Sequence, residues 1–67
     1  MNYNLNDREI VLELINEDGY SLMYASDQIK GDREIVLKAV KNNGLALKFA
    51  SDELRNDYHI VLEADRK

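Results

Sequence analysis

This chain has no cysteine, no proline and a single histidine. Without cysteine there is no disulfide, no thiolate metal site and no cysteine nucleophile. One histidine is too few for a zinc site of the usual kind. Glycine is scarce, and Gly19 and Gly44 each stand alone, so no phosphate-cradling loop is present. No apolar stretch approaches the ~20 residues that span a bilayer. Met1-Asn2-Tyr3-Asn4-Leu5 has neither the basic segment nor the apolar run of a signal peptide. The expectation is a soluble protein, cytoplasmic by default, without membrane contact. Positive charge is also short, with 9 bases against 13 acids and a net charge of −4. The signs are mixed along the chain. Nucleic-acid binding calls for a basic stripe. Lys38, Lys41 and Lys48 come nearest to one, and Glu34, Asp52 and Glu53 dilute it, so no nucleic-acid partner is expected.

What the chain does contain is repetition. Asp7-Arg8-Glu9-Ile10-Val11-Leu12 returns as Asp32-Arg33-Glu34-Ile35-Val36-Leu37, and again, worn down, as Asp57-Tyr58-His59-Ile60-Val61-Leu62. Laid over residues 32–56 without a gap, residues 7–31 are identical at 11 of 25 positions. The later identities are Gly19/Gly44, Leu22/Leu47, Ala25/Ala50, Ser26/Ser51 and Asp27/Asp52. A fixed period in this range marks stacked supersecondary units, each too small to bury its own apolar face. The chain reads as one domain, 1–67, with one repeat over 7–31, a second over 32–56 and a partial third over 57–67.

Each repeat reads as two helical pieces. The first runs from about Asp32 to Asn42, where Ile35, Val36, Ala39 and Val40 make one broad apolar stripe. Leu37 widens it, as expected of a helix between neighbours. Asn6 and Asn56 are expected N-caps, with Gly31 in that place in the middle copy and Glu9 and Glu34 at the third helical position. Asp7, Asp32 and Asp57 would then lie in the first turn, where the dipole favours negative charge. Gly19 and Gly44 suit the left-handed residue beyond a helix end. The second piece, Leu45 to about Arg55, carries Leu47, Ala50 and Leu54 on one face. Ser51 can cap the turn after it, so a break is expected there and at Ser26.

From Asp32 through Leu47, then Phe49-Ala50-Ser51 and Leu54-Arg55-Asn56-Asp57, the pattern closely resembles domain-of-unknown-function family 4116, short tandem repeats of bacterial and protist proteins. The resemblance spans about Leu5 to Glu63. It implies an all-helical repeat array and no reaction, and no functional residue carries over from it. Tyr20 replaces Leu45, Met23 replaces Lys48, and Tyr58-His59 replaces Arg-Glu. Asp65 stands where Ile15 and Val40 are apolar, as expected of a helix with no further repeat to cover it.

Catalytic readings find no constellation. His59 aligns with Glu9 and Glu34 and reads as a surface or capping residue. Ser26 and Ser51 recur at one place and read as caps, with no nucleophile elbow around them. Glu13, Glu17 and Asp18 read as solvated, and Glu17-Asp18-Gly19 lacks the alternating oxygen ligands of a calcium loop. Arg8 and Arg33 read as pairing between repeats, Arg33 with a carboxylate such as Asp27 or Asp52. Tyr24 and Phe49 share a repeat position and are expected in the core, with Tyr20 half-buried. Met23 and Tyr58 break the repeat pattern, as exposed partner contacts do.

The expectation is therefore an all-α protein of tandem 25-residue helical repeats. It forms a short, right-handed, solenoid-like stack of about five short helices. No catalytic, cofactor or metal residue is expected. Its role would be a non-catalytic protein-interaction module or spacer, binding a protein partner through Met23, Tyr58 and His59, as a monomer or weak homodimer. The alternative is structural self-association, with Tyr3 and Leu5 forming the stickier end. A third reading is an accessory domain of an enzyme.

Overall fold

The computed structural model describes residues 6–65. The chain elements are α1 (Arg8–Glu17), a 3-10 helix η1 (Gly19–Tyr24), α2 (Asp27–Lys30), α3 (Arg33–Asn42), a second 3-10 helix η2 (Gly44–Phe49), α4 (Asp52–Arg55) and α5 (Tyr58–Asp65). No strand occurs among the described residues. Among the described residues seven short helices stand where about five were expected, because each second piece divides into a 3-10 helix and a single α-turn. The bounds of α1, η1 and α2 recur in α3, η2 and α4 at the same 25-residue offset as the sequence.

Each piece has its own cap, which is what lets such short helices begin. Asp7, extended at φ −90° and ψ 114°, accepts from the Glu9 and Ile10 amides. Asp32 does the same for Glu34 and Ile35, and Asp57 for His59 and Ile60. The caps are thus the aspartates, one residue later than expected. A carboxylate there satisfies two orphan amides and places full charge against the helix dipole. Asn6 instead accepts from the Ser26 hydroxyl at 2.6 Å, while Gly31 and Asn56 close α2 and α4. Glu9 and Glu34 consequently sit at the second helical position. Asp18 and Asn43 start the 3-10 helices by accepting from Tyr20 and Leu45. Ser26 and Ser51 cap α2 and α4 through Ile29 and Leu54, so the break at the serines is present.

Gly19 is not in the left-handed region, nor is any other described residue. Its role is close approach. A Cβ there would lie 2.3 Å from the Ala39 carbonyl oxygen and 3.0 Å from the Asn43 nitrogen. The backbone of η1 therefore rests directly on the end of α3. The core is one hydrophobic cluster. Val11, Ile15, Leu22, Ile29, Ile35, Val36, Ala39, Val40, Ala46, Leu54 and Ile60 are buried, and among the described residues no polar or charged one is buried with them. The molecule measures 35 × 21 × 15 Å.

Candidate interaction surface

The side chains that join one unit to the next also define what is left over for a partner. Arg8 donates through Nε to Asp32 at 2.9 Å and through its terminal nitrogen to Glu34. One repeat on, Arg33 donates to Asp57 at 3.0 Å, and its terminal nitrogen lies 3.3 Å from Nδ1 of His59. Pairing between repeats is therefore present, but the partner is the helix cap 24 residues ahead rather than Asp27 or Asp52. α1 packs on α3, and α3 packs on α5, so Arg8 and Arg33 each meet the start of the next long helix. Asp52 is taken by Arg55 on its own helix. Arg8 holds the Asp32 carboxyl below its ordinary value, and Arg33 does the same for Asp57, helped in each case by the capped amides. Asp32 and Glu34 in turn raise the Arg8 guanidinium.

A second link joins backbones. Asn42 accepts from the Gly19 amide at 2.7 Å and donates to the Asn16 carbonyl at 3.4 Å. The third link is aromatic. Tyr20 meets Phe49 edge to face, with centroids 4.9 Å apart and planes at 88°. Lys48 extends over both rings, 5.2 Å from Tyr20 and 5.3 Å from Phe49. Lys38 and Lys41 line an open groove with Leu12, Glu13, Asn16 and Asn42. Of the three lysines singled out in the sequence, one is thus spent on a joint.

Met23 is 39 % exposed in η1, and Tyr58 is 78 % exposed in the first turn of α5 beside exposed His59. Tyr58 and His59 are neighbours. Met23 belongs to an element that packs on α1, α3 and η2, whereas α5 packs on α3, η2 and α4. His59 caps nothing with its ring; it takes the place at Arg33 that Glu34 takes at Arg8.

Tyr24 is not in the core. It is 59 % exposed, while Phe49, its repeat equivalent, is half-buried against Tyr20. No described ring covers Tyr24 from the preceding side as Tyr20 covers Phe49. The phenol hydroxyl that distinguishes Tyr24 from Phe49 is the signal that fits a ring reaching water. Leu45, the equivalent of Tyr20, is 66 % exposed. Leu12 and Leu37 are half-buried, and the matching Leu62 is 44 % exposed. Sequence reading singled out neither Leu45 nor Leu62, because both obey the repeat pattern. Tyr3, Leu5 and the final Arg66-Lys67 lie outside the described residues.

Among the described residues, no group of three or more His, Cys, Asp or Glu side chains could hold a metal ion. No helix of the described residues is long and apolar enough to cross a membrane. A family model described as Domain of unknown function (DUF4116) matches residues 7–55 and, again, residues 32–64. Neither a curated protein nor a solved structure matches the chain.

Proposed function

The chain belongs to the Domain of unknown function (DUF4116) family, and from that premise we propose that it is a non-catalytic, solenoid-like stack of tandem helical repeats that binds a protein partner. The family description assigns no activity. The observation that carries the reading is the division of labour among side chains. Arg8, Arg33, Asn42, Tyr20 and Phe49 are used to hold unit to unit. Met23, Tyr24, Leu45, Tyr58 and Leu62 remain large, apolar and exposed. Aromatic and methionine side chains on a stiff frame are what protein interfaces are rich in. A repeat stack offers them along an extended surface.

The test is cross-linking from position 58. A photo-reactive residue in place of Tyr58 should capture one discrete protein in the source cells. Met23→Lys or His59→Ala should reduce the capture without changing the helical circular dichroism. Capture that ignores both substitutions, or no discrete product, counts against the reading.

A second reading is self-association, favoured by exposed apolar side chains in both full repeats, Tyr24 in one and Leu45 in the other. Light scattering across a hundredfold concentration range separates the two. A mass that rises toward a dimer puts self-association first. A constant monomer mass leaves the surface to a foreign partner.

A further inference from the structure

The two sides of the stack differ in a way that specifies a partner. Unit two holds unit one with Asp32 and Glu34 around the Arg8 guanidinium, with Phe49 against Tyr20, and with Lys48 over both rings. Unit one carries the same places one period earlier, at Asp7, Glu9, Tyr24 and Met23. Its backbone matches. The cap of α1 has φ −90° and ψ 114°, that of α3 −86° and 109°. The residue closing η1 has −72° and 158°, that closing η2 −71° and 163°. The two units therefore present the four positions on equivalent faces.

Among the described residues, these positions on unit one have no matching occupant. Asp7 bonds only the amides of its own helix, and neither Asp7 nor Glu9 holds an ion pair among the described residues. Met23 and Tyr24 are exposed. We propose that Asp7, Glu9, Met23 and Tyr24 form a docking surface for a partner segment that brings an arginine in the first turn of one helix and, after an extended break, an aromatic side chain on a second short helix, as Arg8 and Tyr20 are placed on α1 and η1. The arginine would lie between the two carboxylates as Arg8 lies between Asp32 and Glu34. The aromatic ring would meet Tyr24 edge to face as Tyr20 meets Phe49. Met23, in the place of Lys48, would cover that ring with a thioether, a favourable contact with an aromatic edge.

A second copy of this chain is a poor occupant. In the third copy of the repeat, the residue in the place of Arg8 and Arg33 is Tyr58. A copy arriving in the same register would bring a phenol to two carboxylates. The partner is accordingly a different helical segment carrying the arginine. This inference rests on the stacked-repeat reading above.

The probe is a synthetic peptide with the sequence of residues 7–31, which carries both an arginine and an aromatic at the required spacing. It is titrated into the isotope-labelled full chain and followed by amide chemical shifts. Saturable shifts should gather at Asp7, Glu9, Met23 and Tyr24. Replacing the peptide's arginine by alanine should weaken binding about two- to fivefold, the range an exposed ion pair supports. Glu9→Arg in the chain should weaken it further. The proposal falls if shifts gather instead at Leu45 and Tyr58, or at Asp32 and Phe49 through displacement of unit one. It also falls if the alanine peptide binds equally, or if nothing moves at about 1 mM peptide, the weak end of specific binding. The stacked-repeat reading is tested apart, by a double-mutant cycle of Arg8→Ala and Asp32→Asn on thermal stability. Non-additive losses with a silent peptide leave the stack standing and remove the docking surface. Additive losses remove the stack's ladder as well.

Discussion

Single aspartates do two jobs in this chain. Asp32 caps α3 through two amides and receives Arg8 from the preceding unit. The two jobs can be separated, because asparagine caps nearly as well but carries no charge. The Arg8 hydrogen bond, opposed by partial desolvation and aided by the Ile35 and Glu34 amides, lowers the Asp32 pKa below its ordinary 3.8. A carboxyl whose folded pKa lies below its unfolded one stabilises the native state fully above the unfolded pKa. That contribution fades as pH falls through the folded value. Stability of the wild-type chain should therefore drop on acidification below about pH 4. Asp32→Asn should keep its helix content at pH 7 and lose part of that acid dependence, with the remainder carried by Asp57. Denaturant melts at pH 7 and pH 3 measure both. An acid slope identical in the two proteins would mean that the Arg8 pair contributes nothing to folding. The sequence marks these aspartates as recurrent but not as the caps. Asn6 and Asp7 are both good capping residues side by side, and only the extended backbone at Asp7 decides between them.

Between elements, the decisive contact is the seat of η1 on α3. A glycine following a helix suggests a left-handed turn, and Gly19 and Gly44 both stand in that place. Here the glycine serves another end, since its missing side chain lets the η1 backbone reach the Ala39 carbonyl and the Asn42 side chain. A methyl group placed 2.3 Å from a helical carbonyl oxygen has nowhere to go. Gly19→Ala should therefore cost about 1–3 kcal/mol through forced separation of η1 from α3, the usual range for overpacking. Gly31→Ala is the control, because its nearest contacts lie at 3.6 Å and beyond. Urea midpoints for the two variants would decide the matter, and equal losses would refute the close-approach account. Legibility follows the same line. Period, helical class, the breaks at Ser26 and Ser51 and the existence of pairing between repeats are local properties, written in spacing and residue type. The identity of the Arg33 partner, the exposure of Tyr24 and the reason for Gly19 depend on which turn of one unit faces which turn of the next. No residue states that register by itself. Of the expected contact residues, Met23, Tyr58 and His59 are all exposed, yet Met23 lies on a different element from the other two.

Across the whole molecule, coverage is uneven, and so stability should be. The middle helix α3 buries Ile35, Val36, Ala39 and Val40 and is packed by elements on both sides. By contrast α1 buries Val11 and Ile15, and α5 buries Ile60 alone among the described residues. In a stack where each unit touches only its neighbours, stability is a sum of unit terms and joint terms, and a unit with one joint opens before a unit with two. Native-state hydrogen exchange reports those local openings as free energies. Protection should be greatest for amides in the middle of α3, lower in α1 and lowest in α5. In rising denaturant, α5 should exchange through an opening that leaves α3 intact. Ile60→Ala sharpens the test. Emptying a fully buried isoleucine costs about 2–5 kcal/mol locally. In a chain of independent joints it should release α5 while leaving α1 protection unchanged. If every helix instead exchanges with one common free energy, and Ile60→Ala lowers α1 and α5 alike, the chain unfolds as a single block. The units would then have no separate joints for a partner segment to extend.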